Sequence, residues 1–364
     1  MGTIELDGKY RMRRVLFNLA AAFTLAACSV SAHADEIALR IGAGHPVVQA
    51  YVTLAKEFFV PEISKRVAER TKHTIRWTEA YGGAVAKLPE VLEAVQSGLL
   101  DIGALSLPFT PSQLYLNNYC YYIPFSTPDP VEAIRIARRL YDEFPPLKQQ
   151  LEKYGQRLVA LGATGDYNII TVEPWTKMTD LGRFKIGSAG PNLPWLTGTG
   201  ATPVQASLNE AYTGLQTGIY QGYLVFPRAF EGFKLSEIAK NVKMVHFGSM
   251  PINIVTMNLR TWGRLPPEIQ KIIDEVGREY ELKVGELAKK QDEESLAKMK
   301  AAGVQITELP DDERQKWAQA LKDFPSKAAA DGDRRGLPMT QLLKKYLEIL
   351  KSEGYKLPVD YRVD

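Results

Sequence analysis

Two cysteines and four histidines are all that this 364-residue chain offers to thiol, imidazole or metal chemistry. Cys28 and His33 fall in an N-terminal segment that reads as an export signal, which leaves Cys120 alone in the remainder. One cysteine cannot form an intrachain disulfide, and a chain of this size can rely on its core instead. His45, His73 and His246 are far apart, and no pair has metal-ligand spacing such as His-Glu-x-x-His. No Gly-x-Ser-x-Gly elbow and no phosphate loop occurs. Gly198-Thr199-Gly200 fits an ordinary turn, and Cys120, set in Tyr119-Cys120-Tyr121-Tyr122, reads as packed rather than nucleophilic. These absences lead us to expect no catalytic set, no metal and no cofactor.

Strong charge of one sign is also missing. The chain carries +3 overall. Four cations against two acids in the first 34 residues leave the remainder near neutral, at +1, with charges interspersed. A nucleic-acid binder would show a basic stripe, so none is expected as a partner. Long apolar runs are absent beyond the N-terminus. There, Met12-Arg13-Arg14 precedes a largely apolar run from Val15 to Cys28, too short to span a bilayer, which needs ~20 apolar residues. Ala32-His33-Ala34 closes it as a small-x-small cleavage site. Residues 1–34 are therefore expected to be an export signal and the product periplasmic. Leu25-Ala26-Ala27-Cys28 also has the form of a lipoprotein box, which would anchor the chain through a lipid on Cys28.

What is present is an alternation of strands and helices. Ile37 to Gly44 reads as a strand, about Val48 to Arg70 as a helix, Thr74 to Ala80 as a strand, Leu88 to Ser97 as a helix and Leu100 to Leu105 as a strand. After residue 155 the alternation resumes, with strands at Arg157 to Leu161, Asn168 to Val172, Lys185-Ile186, Val242 to Phe247 and Ile252 to Met257, and a helix at Asn209 to Thr217. Two such sets predict an α/β chain of two lobes, with mostly parallel sheets and more than one crossover. From Pro266 a charged amphipathic pattern predicts a helix to about Ala302, long enough to lie across both lobes. Further helices are expected at Asp311 to Phe324 and Thr340 to Ser352.

Several segments together resemble the extracytoplasmic solute-binding proteins of TRAP transporters, the DctP-like family. They are Asp180-Leu181-Gly182-Arg183-Phe184-Lys185-Ile186-Gly187, then Gly200-Ala201-Thr202-Pro203-Val204, then Asn209-Glu210-Ala211-Tyr212-Thr213-Gly214-Leu215-Gln216-Thr217-Gly218. Ala94 to Asp101, Tyr122-Ile123-Pro124-Phe125 and Leu265 to Lys271 add to the match, which extends over nearly all of residues 37–310. The resemblance implies two-lobed periplasmic binding proteins with mixed sheets, crossover strands and a spanning helix. It also implies a small organic acid bound between the lobes and handed to membrane permease subunits. On this pattern lobe I comprises 35–163 and 252–290, and lobe II comprises 164–251 and 291–364. The open alternatives are a binding component of an ABC importer and an exported enzyme on a binding-protein fold.

The resemblance breaks where the ligand would be held. The family's carboxylate-pairing Arg falls on Gly187, and two further arginine positions fall near Tyr167 and Phe109. None of these can replace a guanidinium fork. The family's Asp falls on Gln221 and its ligand-facing Asn near Val225 or Phe226. We therefore expect an aromatic or apolar-bodied acid. The expected walls are Phe109, Tyr167, Trp195, Leu208, Tyr223 and Phe226. Polar contacts are expected from His45, Ser106, Asn168 and backbone around Gly187, Ser188, Ala189 and Gly190, with Arg228 as the remaining cation.

Overall fold

The computed structural model describes residues 35–364; the expected export signal and Cys28 lie outside the described residues. Eleven strands among these residues form two sheets: β1 Asp35–Ala43, β2 His73–Ala80, β3 Ile102–Ser106, β4 Gln156–Gly162, β5 Asn168–Thr171, β6 Lys185–Ser188, β7 Thr202–Gln205, β8 Gly222–Val225, β9 Asn241–Met244, β10 Asn253–Asn258 and β11 Gln305–Glu308. The first sheet has the order β2-β1-β3-β10-β4 and the second β11-β9-β5-β8-β6-β7. The chain thus leaves the first sheet after β4, returns to it for β10, and enters the second again at β11.

Both sheets are mixed rather than uniformly parallel, for a geometric reason. β10 runs antiparallel to β3 and β4, and β5 runs antiparallel to β8 and β9. Each is the strand by which the chain enters a sheet from the gap between the two. Strands that leave a sheet at the gap have their carboxyl ends there. A strand that enters from the gap must have its amino end there, so it runs the other way. The two connecting segments pair with each other. Thr164 N–H donates to Met250 O (3.0 Å), Tyr167 N–H to Gly248 O (3.1 Å) and Phe247 N–H to Tyr167 O (3.1 Å). Gly248 has φ +111, and a Cβ there would lie 2.6 Å from Ser126 Oγ, so no other residue fits this turn.

Covering helices follow the expected pattern, with short additions such as Pro227–Gly232 and Phe324–Arg334 and one longer addition. The first, α1 (50–70), contains a π-helical turn at Ala55–Phe59 before its last segment Val60–Arg70. Pro61 supplies no N–H to the turn before it, and the wider turn absorbs its ring. The helix α2 is Val91–Ser97, ended by Gly98 in the left-handed region. The longer addition is α3, Pro130–Glu143, capped by Asp129, whose carboxylate accepts from Val131 and Glu132 N–H. Helix α4 is Pro227–Gly232. The 35-residue helix α5, Pro267–Ala301, is ~52 Å long at 1.5 Å per residue and packs on both α3 and α4. The C-terminal helices are α6 Asp311–Ala320, α7 Phe324–Arg334 and α8 Met339–Ser352. α8 turns back onto α3 and residues 116–122, with the Tyr119 and Tyr346 rings 4.9 Å apart. No helix among the described residues is long and apolar enough to cross a membrane.

Two buried acids fix α5 to the rest. Glu281 accepts from Leu161 N–H (2.9 Å) on β4 and pairs with Arg138 on α3. Asp292 accepts from Asp166 N–H (3.2 Å) in the first connecting segment and from Arg228 N–H (2.8 Å) on α4. Gly165 is forced by this contact, because a Cβ there would fall 1.7 Å from Asp292 Oδ2.

Candidate functional site

The gap between the sheets is where parallel strands of both present their carboxyl ends, the usual place for a ligand in an open α/β fold. β1 runs through Ala43 to His45, β3 ends at Ser106, β6 ends at Ser188 and β8 runs into Phe226. The amino ends of the two reversed strands, Asn253 and Tyr167-Asn168, reach the same gap. A cavity lies here, between the two sheets. Residues of the first sheet and its loops supply one wall: His45, Gln49, Tyr51, Ser106, Pro108 and Phe109. The second sheet supplies Tyr167, Ser188, Ala189, Asn192, Leu208 and Tyr223 to Phe226. Thr164, Ile252 and Asn253, from the connecting segments and the start of β10, complete the lining.

Among the described residues, no Arg, Lys, Asp or Glu lines this cavity. His45 is buried, and burial pushes its imidazole down to about 4, so it is neutral near pH 7. Its Nδ1 lies 2.8 Å from the Tyr51 hydroxyl. One of the two donates to the other, and the neutral ring keeps one N–H donor in either tautomer. Tyr51 is in turn held from α5, where the Tyr280 hydroxyl donates to Tyr51 O (2.6 Å). The Phe109 ring meets His45 edge to face at 5.7 Å.

Eight of the twelve expected residues line the cavity: His45, Ser106, Phe109, Tyr167, Ser188, Leu208, Tyr223 and Phe226. Four do not. Trp195 lies behind Tyr167, fully buried, with its Nε1–H on Tyr121 O (2.7 Å) and its ring stacked on Phe247 at 5.0 Å. It backs the wall without forming it. Asn168 spends its side chain within its own lobe, its Oδ1 accepting from Val245 N–H (2.7 Å) and His246 N–H (2.9 Å) and its Nδ2 donating to Asp166 O (2.9 Å) and Oδ2 (3.0 Å). Gly187 is covered, since a Cβ there would sit 2.8 Å from the Tyr223 ring and 3.1 Å from Tyr220. The Tyr220 and Tyr223 rings occupy the space in which a longer residue at 187 would project.

Arg228, the fourth, lies next door. It lines a smaller cavity that shares Gln49, Tyr51, Thr164, Phe226 and Asn253 with the main one. Its guanidinium pairs with Glu231, while its Nε is buried without a partner.

Sequence reasoning missed Gln49, Tyr51, Thr164, Asn192 and Asn253. Gln49 and Tyr51 stand at the start of α1, where the helical pattern hides which positions turn inward. Asn253 opens a strand whose reversed direction was not anticipated, and that reversal puts it at the gap.

The chain matches the family model described as bacterial extracellular solute-binding protein, family 7, over residues 49–331. The ectoine-binding periplasmic protein TeaA of Halomonas elongata is 25% identical over 310 residues, covering 82% of this chain and 88% of that protein. A solute-binding protein of Sulfitobacter sp. is 26% identical over 193 residues, but this spans only 58% of its length and 52% of this chain. The fold matches a TRAP periplasmic solute-binding protein of Desulfovibrio salexigens, captured in an open complex, with a TM-score of 0.76. The identity is 20%, over 88% of this chain and 98% of that one. It also matches one from Bordetella bronchiseptica solved with bound (R)- and (S)-mandelate, with a TM-score of 0.73 and 22% identity over 87% and 99%.

Proposed function

The chain belongs to family 7 of the bacterial extracellular solute-binding proteins, the DctP family, and on that premise we propose that it captures a small organic acid outside the cytoplasm and delivers it to the membrane permease of a TRAP transporter. The family is one of transport proteins rather than enzymes. We divide the lobes at 163/164, 251/252 and 290/291, with the paired connecting segments as the hinge about which they close.

The observation that carries the ligand class is the lining. Phe109, Tyr167, Tyr223 and Phe226 offer aromatic surface, which supports an acid with an aromatic or apolar body. The mandelate bound by the Bordetella bronchiseptica relative fits this reading. Its carboxylate would be met by neutral donors: the His45 imidazole, the Ser106 hydroxyl and backbone N–H groups near Ser188. Arg228 lines the adjoining cavity with an unpartnered Nε, and reaching the ligand on closure would require it to leave Glu231.

A specific observation favours a second reading. A lining without formal charge suits a zwitterion, whose own cation balances its carboxylate and can stack on aromatic faces. TeaA, named for binding ectoine, supports it.

Thermal melting separates the readings, because a ligand that binds only the folded state raises the melting temperature. At about 100 times Kd this stabilisation is ~2.7 kcal/mol. Aromatic acids raising the midpoint while ectoine does not supports the first reading, and the reverse supports the second. No shift with either class sinks both.

A further inference from the structure

Among the polar side-chain atoms of the cavity lining that are fully buried, one lacks a partner. Asn192 is fully buried, and its Oδ1 makes no hydrogen bond. The amide of an asparagine can usually be turned over without changing its shape, but here its orientation is determined. The Ser188 hydroxyl spends its single proton on Leu224 O at 2.6 Å. It can therefore only accept from Asn192, whose Nδ2 stands 2.8 Å away. Nδ2 must face Ser188, so Oδ1 is the atom left over. The nearby Tyr223 hydroxyl cannot serve it, because that proton goes to Ala206 O at 2.9 Å.

A buried acceptor without a donor is costly, and each such atom in a native site calls for an explanation. Asn192 lines the cavity, so a bound molecule can supply the missing proton. Resting on the acid-capture reading, we infer that Asn192 is a specificity-determining residue that accepts a hydrogen bond from the ligand. The preferred acids then carry an O–H or N–H donor, as hydroxy acids and lactam acids do. Keto acids are rejected because they would set a carbonyl oxygen against Oδ1, and acids without a polar substituent leave Oδ1 unpaired. Ser188 acts through Asn192 as a positioning residue that holds the amide one way round.

Two matched sets of acids test this: mandelate, phenylglyoxylate and phenylacetate, and lactate, pyruvate and propionate. Binding is measured by isothermal titration calorimetry at pH 7 on the purified protein. The hydroxy acid of at least one set should bind about tenfold or more tightly than its keto and unsubstituted partners. Asn192→Leu should bring the three within about twofold. Ser188→Ala frees the amide to rotate, so it should raise keto-acid affinity while leaving that of the hydroxy acid within a fewfold. If Asn192→Leu fails to fold, Ser188→Ala carries the test alone. A keto or unsubstituted acid binding as tightly as its hydroxy partner in the parent overturns the inference and leaves acid capture standing. So does a hydroxy preference that survives both variants. Binding by none of the six overturns acid capture and this inference with it.

Discussion

The cavity between the sheets and the connecting segments that we propose as the hinge share Thr164 but are built from different materials. The cavity wall holds no formal charge, and its one imidazole, His45, is kept neutral by burial. The hinge is dense with charge. Asp166 lies 2.6 Å from His246 Nδ1, Glu308 lies 2.9 Å from Nε2, and Asp292 sits below with Arg228 beside it. Burial alone would lower the His246 value, but Asp166 and Glu308 outweigh it and raise it above the ordinary range. Asp292 is driven well above the usual carboxylate range by its burial. The difference teaches where this fold uses electrostatics. Fixed charges set the geometry of the crossover, and the cavity lining carries none.

The largest test strikes the hinge. Asp292→Ala strands two buried N–H groups, those of Asp166 and Arg228, and should cost roughly 2–5 kcal/mol of stability in urea denaturation. Gly165→Ala forces the same contact apart and should be of similar size. If either variant melts like the parent, the hinge is not held by Asp292.

The second test reads the neutral histidine. An imidazole held at about 4 against an ordinary 6.5 gives stability that is present above pH 6.5 and lost as pH falls toward 4. The loss is roughly 3 kcal/mol at one pKa unit per 1.36 kcal/mol. His45→Gln should remove that acid-side loss, seen as a flatter stability profile from pH 7 to 4.

The third test asks whether the aromatic wall can be reverted. Gly187→Arg would drive a side chain into Tyr223 and Tyr220. It should destabilise the protein by about 1–3 kcal/mol and improve no carboxylate's affinity. A gain in acid affinity would show that the tyrosine pair yields readily.

The smallest effect belongs to the charged histidine, and its sign is opposite to that of His45. A raised folded value gives stability that is full below pH 6.5 and is lost as pH rises through that folded value. His246→Gln should therefore narrow the stability difference between pH 6 and pH 9, measured by thermal melting.

Much of the frame was legible in the residues. Ile102 to Ser106 and Asn253 to Asn258 are buried throughout, and such apolar runs read as strands. The span of α5 followed from Pro266-Pro267 at one end and Gly303 at the other. The site was harder. Facing is set by which neighbour claims a side chain, and that depends on distant residues. Trp195 sits in a turn of 3-10 helix containing Pro194, where no period tells inside from cavity. Asn168 was claimed by the backbone of residues 245 and 246, some 80 positions away. Asn192 was invisible because its role rests on a proton that Ser188 gives to Leu224. Helix α3, by contrast, carried a readable signal in Asp129-Pro130, an N-cap followed by proline at the first turn.

The placement of β10 also governs the order in which the molecule can fold. It is an interior strand, flanked by β3 and β4, yet the chain supplies it only at residues 253–258, after β5 to β9 have been made. A growing chain that has reached residue 250 holds a first sheet split down its middle. Its halves cannot close until the missing strand arrives from the other lobe, a long-range pairing that slows folding. Neither half is an autonomous folding unit, and truncation near residue 250 should give an aggregating product rather than an isolated lobe. The same delay leaves a nascent chain without a closed first sheet until about seven-tenths of it has been synthesised.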